Sequence, residues 1–256
     1  MKINAVLKPS TIRLSDDRAV RTLSLVVIAL LVLFLALAGS ILLFKRGPDN
    51  ESYIDREIKI AEERVQENPA STDARLDLGW RLYQKGDYDA AISQYDEIVR
   101  LNPEHLGARY GKALALEKLG KRDDAIAVLK EVVAKNNLHD QAYYELAKLY
   151  WEQGNLDEAL ASIERNIELQ PISSSSHYLK GRILLSKGDA DSAIKEFNVA
   201  VSYDPEYALG YLGLGLGNAK KGNQEEAKEN LKKAIALDPK LDEAASALRE
   251  LSGQGK

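Results

Sequence analysis

Two hydrophobic patterns divide the chain. Leu23 to Phe44 is a 22-residue apolar run without a charge, broken only by Ser24, Gly39 and Ser40. From Thr72 onward the run gives way to small and bulky apolar positions that return every 34 residues. Gly86, Gly120, Gly154, Gly188 and Gly222 keep that step, and so do Ala91, Ala125, Ala159, Ala193 and Ala227. A fixed period of this length marks a repeat array, in which each unit packs only on its neighbours. The spacing predicts five units, at 72–105, 106–139, 140–173, 174–207 and 208–241, each a helix, a tight turn and a second helix. The fold class is therefore all-α, a transmembrane helix followed by a superhelical solenoid.

Within a unit, each recurring position has a physical role. Gly at position 15 can take the left-handed conformation that ends a helix. Position 8 is small (Gly79, Ala113, Ala147, Gly181, Gly215) and position 20 is always Ala, so two helices can approach closely there. Position 24 is bulky: Tyr95, Leu129, Ile163, Phe197 and Leu231. Position 32 is Pro103, Pro171, Pro205 and Pro239, with Asn137 in the second unit, and Pro there stops the second helix. On these residues the chain resembles the tetratricopeptide repeat family over 72–241. Some positions depart from the family pattern. Position 4, often a large aromatic, is Arg75, Arg109, Tyr143, His177 and Tyr211. Position 27 of the third unit is Asn166, and position 21 of the fifth is Lys228. At the ends, 53–71 reads as a lone second helix. Residues 242–256 read as a capping helix and tail, with Ala245, Leu248 and Leu251 on one face. End helices cover apolar faces that a terminal repeat would expose.

The apolar run reads as a membrane span. At ~1.5 Å per residue it reaches ~33 Å, enough to cross a hydrocarbon core of ~30 Å. It separates a basic tail, 1–22, from a short link, 45–52, so the array is expected close to the membrane. Basic residues tie across the two flanks, with Lys2, Lys8, Arg13, Arg18 and Arg21 before the span. Long domains translocate largely regardless of charge, whereas a short basic tail stays inside. The tail is thus expected in the cytoplasm and the array outside, in a bacterial inner membrane. Ala36-Leu37-Ala38 fits a signal-peptidase site, and cleavage after Ala38 is the alternative to an uncleaved anchor. Ala36 and Ser40 form a small-xxx-small pair that permits weak self-association of spans.

Composition narrows the chemistry. Residues 1–46 carry a net charge of +5 and the remainder −9. An acidic array repels phosphates, which argues against nucleic acid. There is no cysteine, so disulfide and thiolate chemistry are excluded. His105 and His139 fall at position 34, in turns between units, and neither they nor His177 have the ligand clusters a metal site needs. Gly213-Leu214-Gly215-Leu216-Gly217 lies inside a predicted helix and lacks nucleotide-loop spacing. Asn50-Glu51-Ser52 is a bare glycosylation triplet. No catalytic residue, metal or cofactor is expected, and the protein reads as a non-enzyme.

The resemblance implies a concave groove lined by first-helix positions 2, 5, 6, 9, 12 and 13. Position 5 supplies Leu76, Tyr110, Tyr144, Tyr178 and Leu212. Position 9 supplies Trp80, Leu114, Lys148, Arg182 and Leu216, and position 12 adds Tyr83, Trp151 and Leu185. Aromatics with a polar tip are enriched at interfaces, although Tyr at position 5 also serves the scaffold. Lys148 and Arg182, equivalent in adjacent units, are candidates to hold a partner's acidic group, or are merely solvated. The clamp by which some family members hold a chaperone carboxylate is absent, since Leu76, Trp80, Gly111, Gln141 and Glu145 stand at its positions. The expectation is a membrane-tethered adaptor that binds a polypeptide partner, in envelope assembly, cytochrome c maturation or secretion-associated chaperoning. The alternatives are a non-catalytic docking subunit of a membrane enzyme complex and a self-associating structural protein.

Overall fold

The computed structural model describes residues 52–253. The tail 1–22, the apolar run 23–44 with its cleavage site, most of the link with its glycosylation triplet, and the last three residues lie outside the described residues. Among those described there are twelve α-helices and no strand, and no helix is long and apolar enough to cross a membrane. Helix α1 is Tyr53–Glu67. Five pairs follow: α2 Thr72–Lys85 with α3 Tyr88–Leu101, α4 Leu106–Lys118 with α5 Arg122–Lys135, and α6 Asp140–Glu152 with α7 Leu156–Leu169. Then come α8 Ser174–Ser186 with α9 Ala190–Tyr203, α10 Ala208–Lys221 with α11 Gln224–Leu237, and the final helix α12 Asp242–Leu251. The ten helices expected over 72–241 are all present.

Six of the twelve described helices begin on a side-chain cap. Ser71, Asp87, His105, His139, Ser173 and Asp189 accept the N–H of the residue three further on, satisfying a donor that the first turn leaves unpaired. Two of the three histidines are thus explained as caps. At the other end of the first helices, Gly154 has φ +80, and the four equivalent glycines are also left-handed. A Cβ at Gly154 would meet nothing within 4 Å, so the turn demands the backbone conformation and not the space. Asn155 N–H then donates to Tyr150 O at 2.9 Å, and Gly154 N–H to Trp151 O at 3.0 Å, which closes the helix end.

The units pack through a repeated knob and socket. All five position-20 alanines are fully buried, and the position-24 side chains are buried beside them. Where position 24 is aromatic, glycines face it from both sides. A Cβ on Gly181 or Gly213 would lie 2.4 Å from the Phe197 ring, and one on Gly79 or Gly111 would lie 2.8 or 2.7 Å from the Tyr95 ring. These glycines are helical, and the demand on them is space, the converse of the turn glycines. Position 4 also gains an explanation. Arg75, Arg109 and His177 lie against the carbonyls of Pro69, Pro103 and Pro171, at 2.9, 2.7 and 3.1 Å. The same side chains reach Gln94, Glu131 and Glu196 on the second helix of their own unit. A polar staple thus replaces the usual aromatic there.

First helices touch across units: α2 reaches α4, α6 reaches α8, α8 reaches α10 and α10 reaches α12. Second helices show no such pairing, so the first helices form the inner layer. On α12 the packed face is Ala244, Ala247, Leu248 and Leu251, against the core of the last two units. Ala244 takes the buried place expected for Ala245.

Candidate functional site

The inner layer presents positions 5, 9 and 12 in rows. At its N-terminal end Trp80 is 47% exposed and stacks on Tyr83, with ring centroids 5.3 Å apart and planes 12° apart. Tyr83 meets Tyr88 edge-on. Burial, then the nearby Glu117 carboxylate, pushes the Tyr83 hydroxyl above its usual range. In the next unit Tyr110 leans on the His139 ring at 5.0 Å. Burial and the Glu145 carboxylate push its hydroxyl up to about 12. Tyr144 is raised for the same two reasons. Tyr178 packs on Phe197 at 5.8 Å and on Tyr207 at 5.9 Å, so it belongs as much to the core as to the surface. Leu76, Leu114, Leu185 and Leu216 are half-buried, whereas Leu212 is fully buried and offers no surface to a partner.

The two basic residues at position 9 are neither free nor simply solvated. Lys148 Nζ lies 3.0 Å from Glu117 Oε1 and in ion contact with Glu145 Oε2. Burial works against the Lys148 charge, but the bonds to Glu145 and Glu117 outweigh it and hold the ammonium above its ordinary range. For Glu145 burial wins over Lys148, and its carboxyl is raised. Glu145 Oε2 is held by the Lys148 ammonium. One unit on, Arg182 donates to Tyr178 Oη at 2.7 Å and to Glu243 at 3.2 Å. Its guanidinium also lies over the Trp151 ring, 5.1 Å from the centroid, a cation–π geometry. Trp151 in turn donates to Ser186 Oγ at 2.9 Å.

Around the starts of α6 and α8 the structure opens into a recess of about 360 Å³. Tyr110, Asp140, Tyr144, Glu145, Asn166 and Ser176 are among its lining residues, and none of the lining residues is basic. Asn166, the odd residue at position 27, is buried, with a relative exposure of 3%. Its Nδ2 donates to Asp140 O at 2.9 Å, and its Oδ1 has no partner. The site therefore contains residues that sequence reasoning does not single out. Glu117 and Glu145 stand at groove positions 12 and 6, where nothing in the pattern separates them from ordinary surface charges. Tyr207 stands at position 34, and Glu243 comes from the end helix.

A family model described as tetratricopeptide repeat matches residues 76–137, 110–171, 144–208 and 178–242, overlapping matches that cover more than half of the chain. No curated protein matches the sequence. Among solved structures, the chain is similar to the MamA protein, at 27% identity over 66% of this chain and 92% of that one, with a TM-score of 0.59. It is similar to TTC0263, a thermophilic repeat protein of Thermus thermophilus, at 26% identity over 70% and 99% of the two chains and a TM-score of 0.56. YrrB, described as having an unusual peptide-binding site, shares the fold at 22% identity over 73% and 96%, with a TM-score of 0.60.

Proposed function

The chain belongs to the tetratricopeptide repeat family, a fold of protein-interaction scaffolds, and from that premise we propose that its inner layer holds an extended polypeptide segment of a partner. The observation that carries this reading is the continuous row from Trp80 and Tyr83 through Tyr110 and Tyr144 to Trp151 and Tyr178. Exposed or half-exposed aromatic rings sit there beside polar hydroxyls and fixed charges. Large aromatic side chains and Arg carry most of the energy in interfaces of this kind. MamA and TTC0263 support the scaffold reading through the fold, and YrrB's described peptide-binding site supports a peptide ligand by analogy.

We further propose that the chain is tethered to a bacterial envelope membrane by 23–44 and works as a non-enzymatic adaptor. The support is the uncharged 22-residue run and its basic flanks. Two arms test the reading. A photo-crosslinker at Trp80, Tyr110 or Trp151 in native membranes is expected to capture one discrete partner. The same group at Ser93 or Lys130, exposed on second helices, is expected to capture none. Equal capture from both faces would refute the groove. Deleting 1–44 is expected to release the array into the soluble fraction, and retention on the membrane would refute the tether.

A further inference from the structure

The recess beside Lys148 carries more information than the aromatic row around it. One of its buried side-chain oxygens, Asn166 Oδ1, has no partner, whereas Glu145 Oε2 meets the Lys148 ammonium. Unfilled buried acceptors are costly, and each calls for a donor. The Asn166 amide cannot turn round to remove the need. Its nitrogen already donates to the Asp140 carbonyl, and exchanging the two ends would set oxygen against oxygen. Asp140 lines the same recess, and its carboxylate makes no ion pair among the described residues. The recess has about 360 Å³, room for much more than a single water. Two acidic residues and no basic one line it, and Lys148 pairs with Glu117 and Glu145.

The first turn of α8 also borders this space and would favour an anion. Its donors are partly taken: Ser176 N–H and Ser176 Oγ both donate to Ser173 Oγ, at 3.2 and 2.7 Å. An anion would moreover share the recess with the acidic residues Asp140 and Glu145. The charge and the unfilled lone pairs both select a cationic donor.

We propose that this recess takes one basic side chain, lysine or arginine, of the extended segment held in the groove, with Asn166, Asp140 and Glu145 as its acceptors. The proposal rests on the groove reading above and names the partner residue that gives the segment its register. A charged donor shared among three acceptors is the strong class of hydrogen bond, and discrimination against a neutral residue follows from it.

The test is selection of random heptapeptides on the full-length chain, followed by titration of the enriched sequences. The expected result is Lys or Arg at one fixed position. Changing that residue to Gln should weaken binding about tenfold, as loss of a charged hydrogen bond does. Asp140→Asn and Asn166→Leu should erase the difference between the Lys or Arg peptide and its Gln counterpart. Asp140→Asn keeps the proposal testable if Asn166→Leu unfolds the array, which circular dichroism would reveal. Enriched peptides without a basic preference would overturn the pocket and leave the groove standing. A preference for Asp, Glu or inorganic phosphate at this place would overturn it in favour of an anion. No enrichment at all would overturn both readings.

Discussion

Lys148 and Arg182 occupy the same position of adjacent repeats, yet their surroundings share almost nothing. Lys148 is held by carboxylates from its own helix and the preceding unit, and it borders an open, acceptor-rich recess. Arg182 is closed in, with Trp151 beneath it, Tyr178 beside it and Glu243 of the end helix across it. A repeat position thus fixes where a side chain emerges, and the neighbouring units decide whether it is available. The difference also follows the packing below. Under Arg182 lies the Phe197 knob with glycines on both sides, onto which Tyr178 packs.

The largest effect should come from breaking the Arg182 side from beneath. Gly213→Val places a branched side chain inside the Phe197 ring position, 2.4 Å from Cδ1. The ring must move and Tyr178 with it, at a cost of about 3 kcal/mol. Urea denaturation should read that loss, and a change below about 1 kcal/mol would show that the socket can relax.

The next effect separates the two cations by pH. Lys148→Met leaves the Glu145 carboxyl, already raised by burial above its ordinary 4.5, without its counter-charge. A carboxyl raised in the folded state stabilises the fold below its unfolded value and loses that contribution as pH rises through the folded one. The variant should therefore nearly match the parent at pH 4 and fall behind by about 1–2 kcal/mol at pH 7. A deficit that is flat with pH would remove Glu145 from the explanation.

The smallest effect sharpens the comparison. Glu243 is half-exposed, so Glu243→Gln should cost about 0.5 kcal/mol and no more than the Lys148 change. Thermal melting at two salt concentrations would check it. A loss above that of Lys148→Met would make the end helix, and not the repeat core, the main support of the groove.

Much of the fold was legible in the chain because its determinants are local. A Gly needing positive φ, an Ala at each helix contact and a side-chain cap before four of the five first helices act within a few residues, so the 34-residue period exposes them. The site was legible only as a set of positions. Trp80 is exposed and Tyr110 and Tyr144 are half-buried, while Leu212 is buried in the core, where the α10 glycines let α9 and α11 approach closely. Asn166 was visible as an irregularity, but its empty acceptor was not.

The sequence by itself therefore determined the all-helical repeat fold, its register and its turns. Only the tertiary structure decided which groove charges are neutralised, which tyrosines are scaffold and where the acceptor-rich recess opens. The reason is physical. The deciding contacts join Glu117 to Lys148 and Arg182 to Glu243 across units, and Asp140 to Asn166 across the two helices of one unit, so their distances are set by how helices and units stack. A periodic pattern records the stacking, and the angle and depth of each contact come from the side-chain volumes packed between the layers.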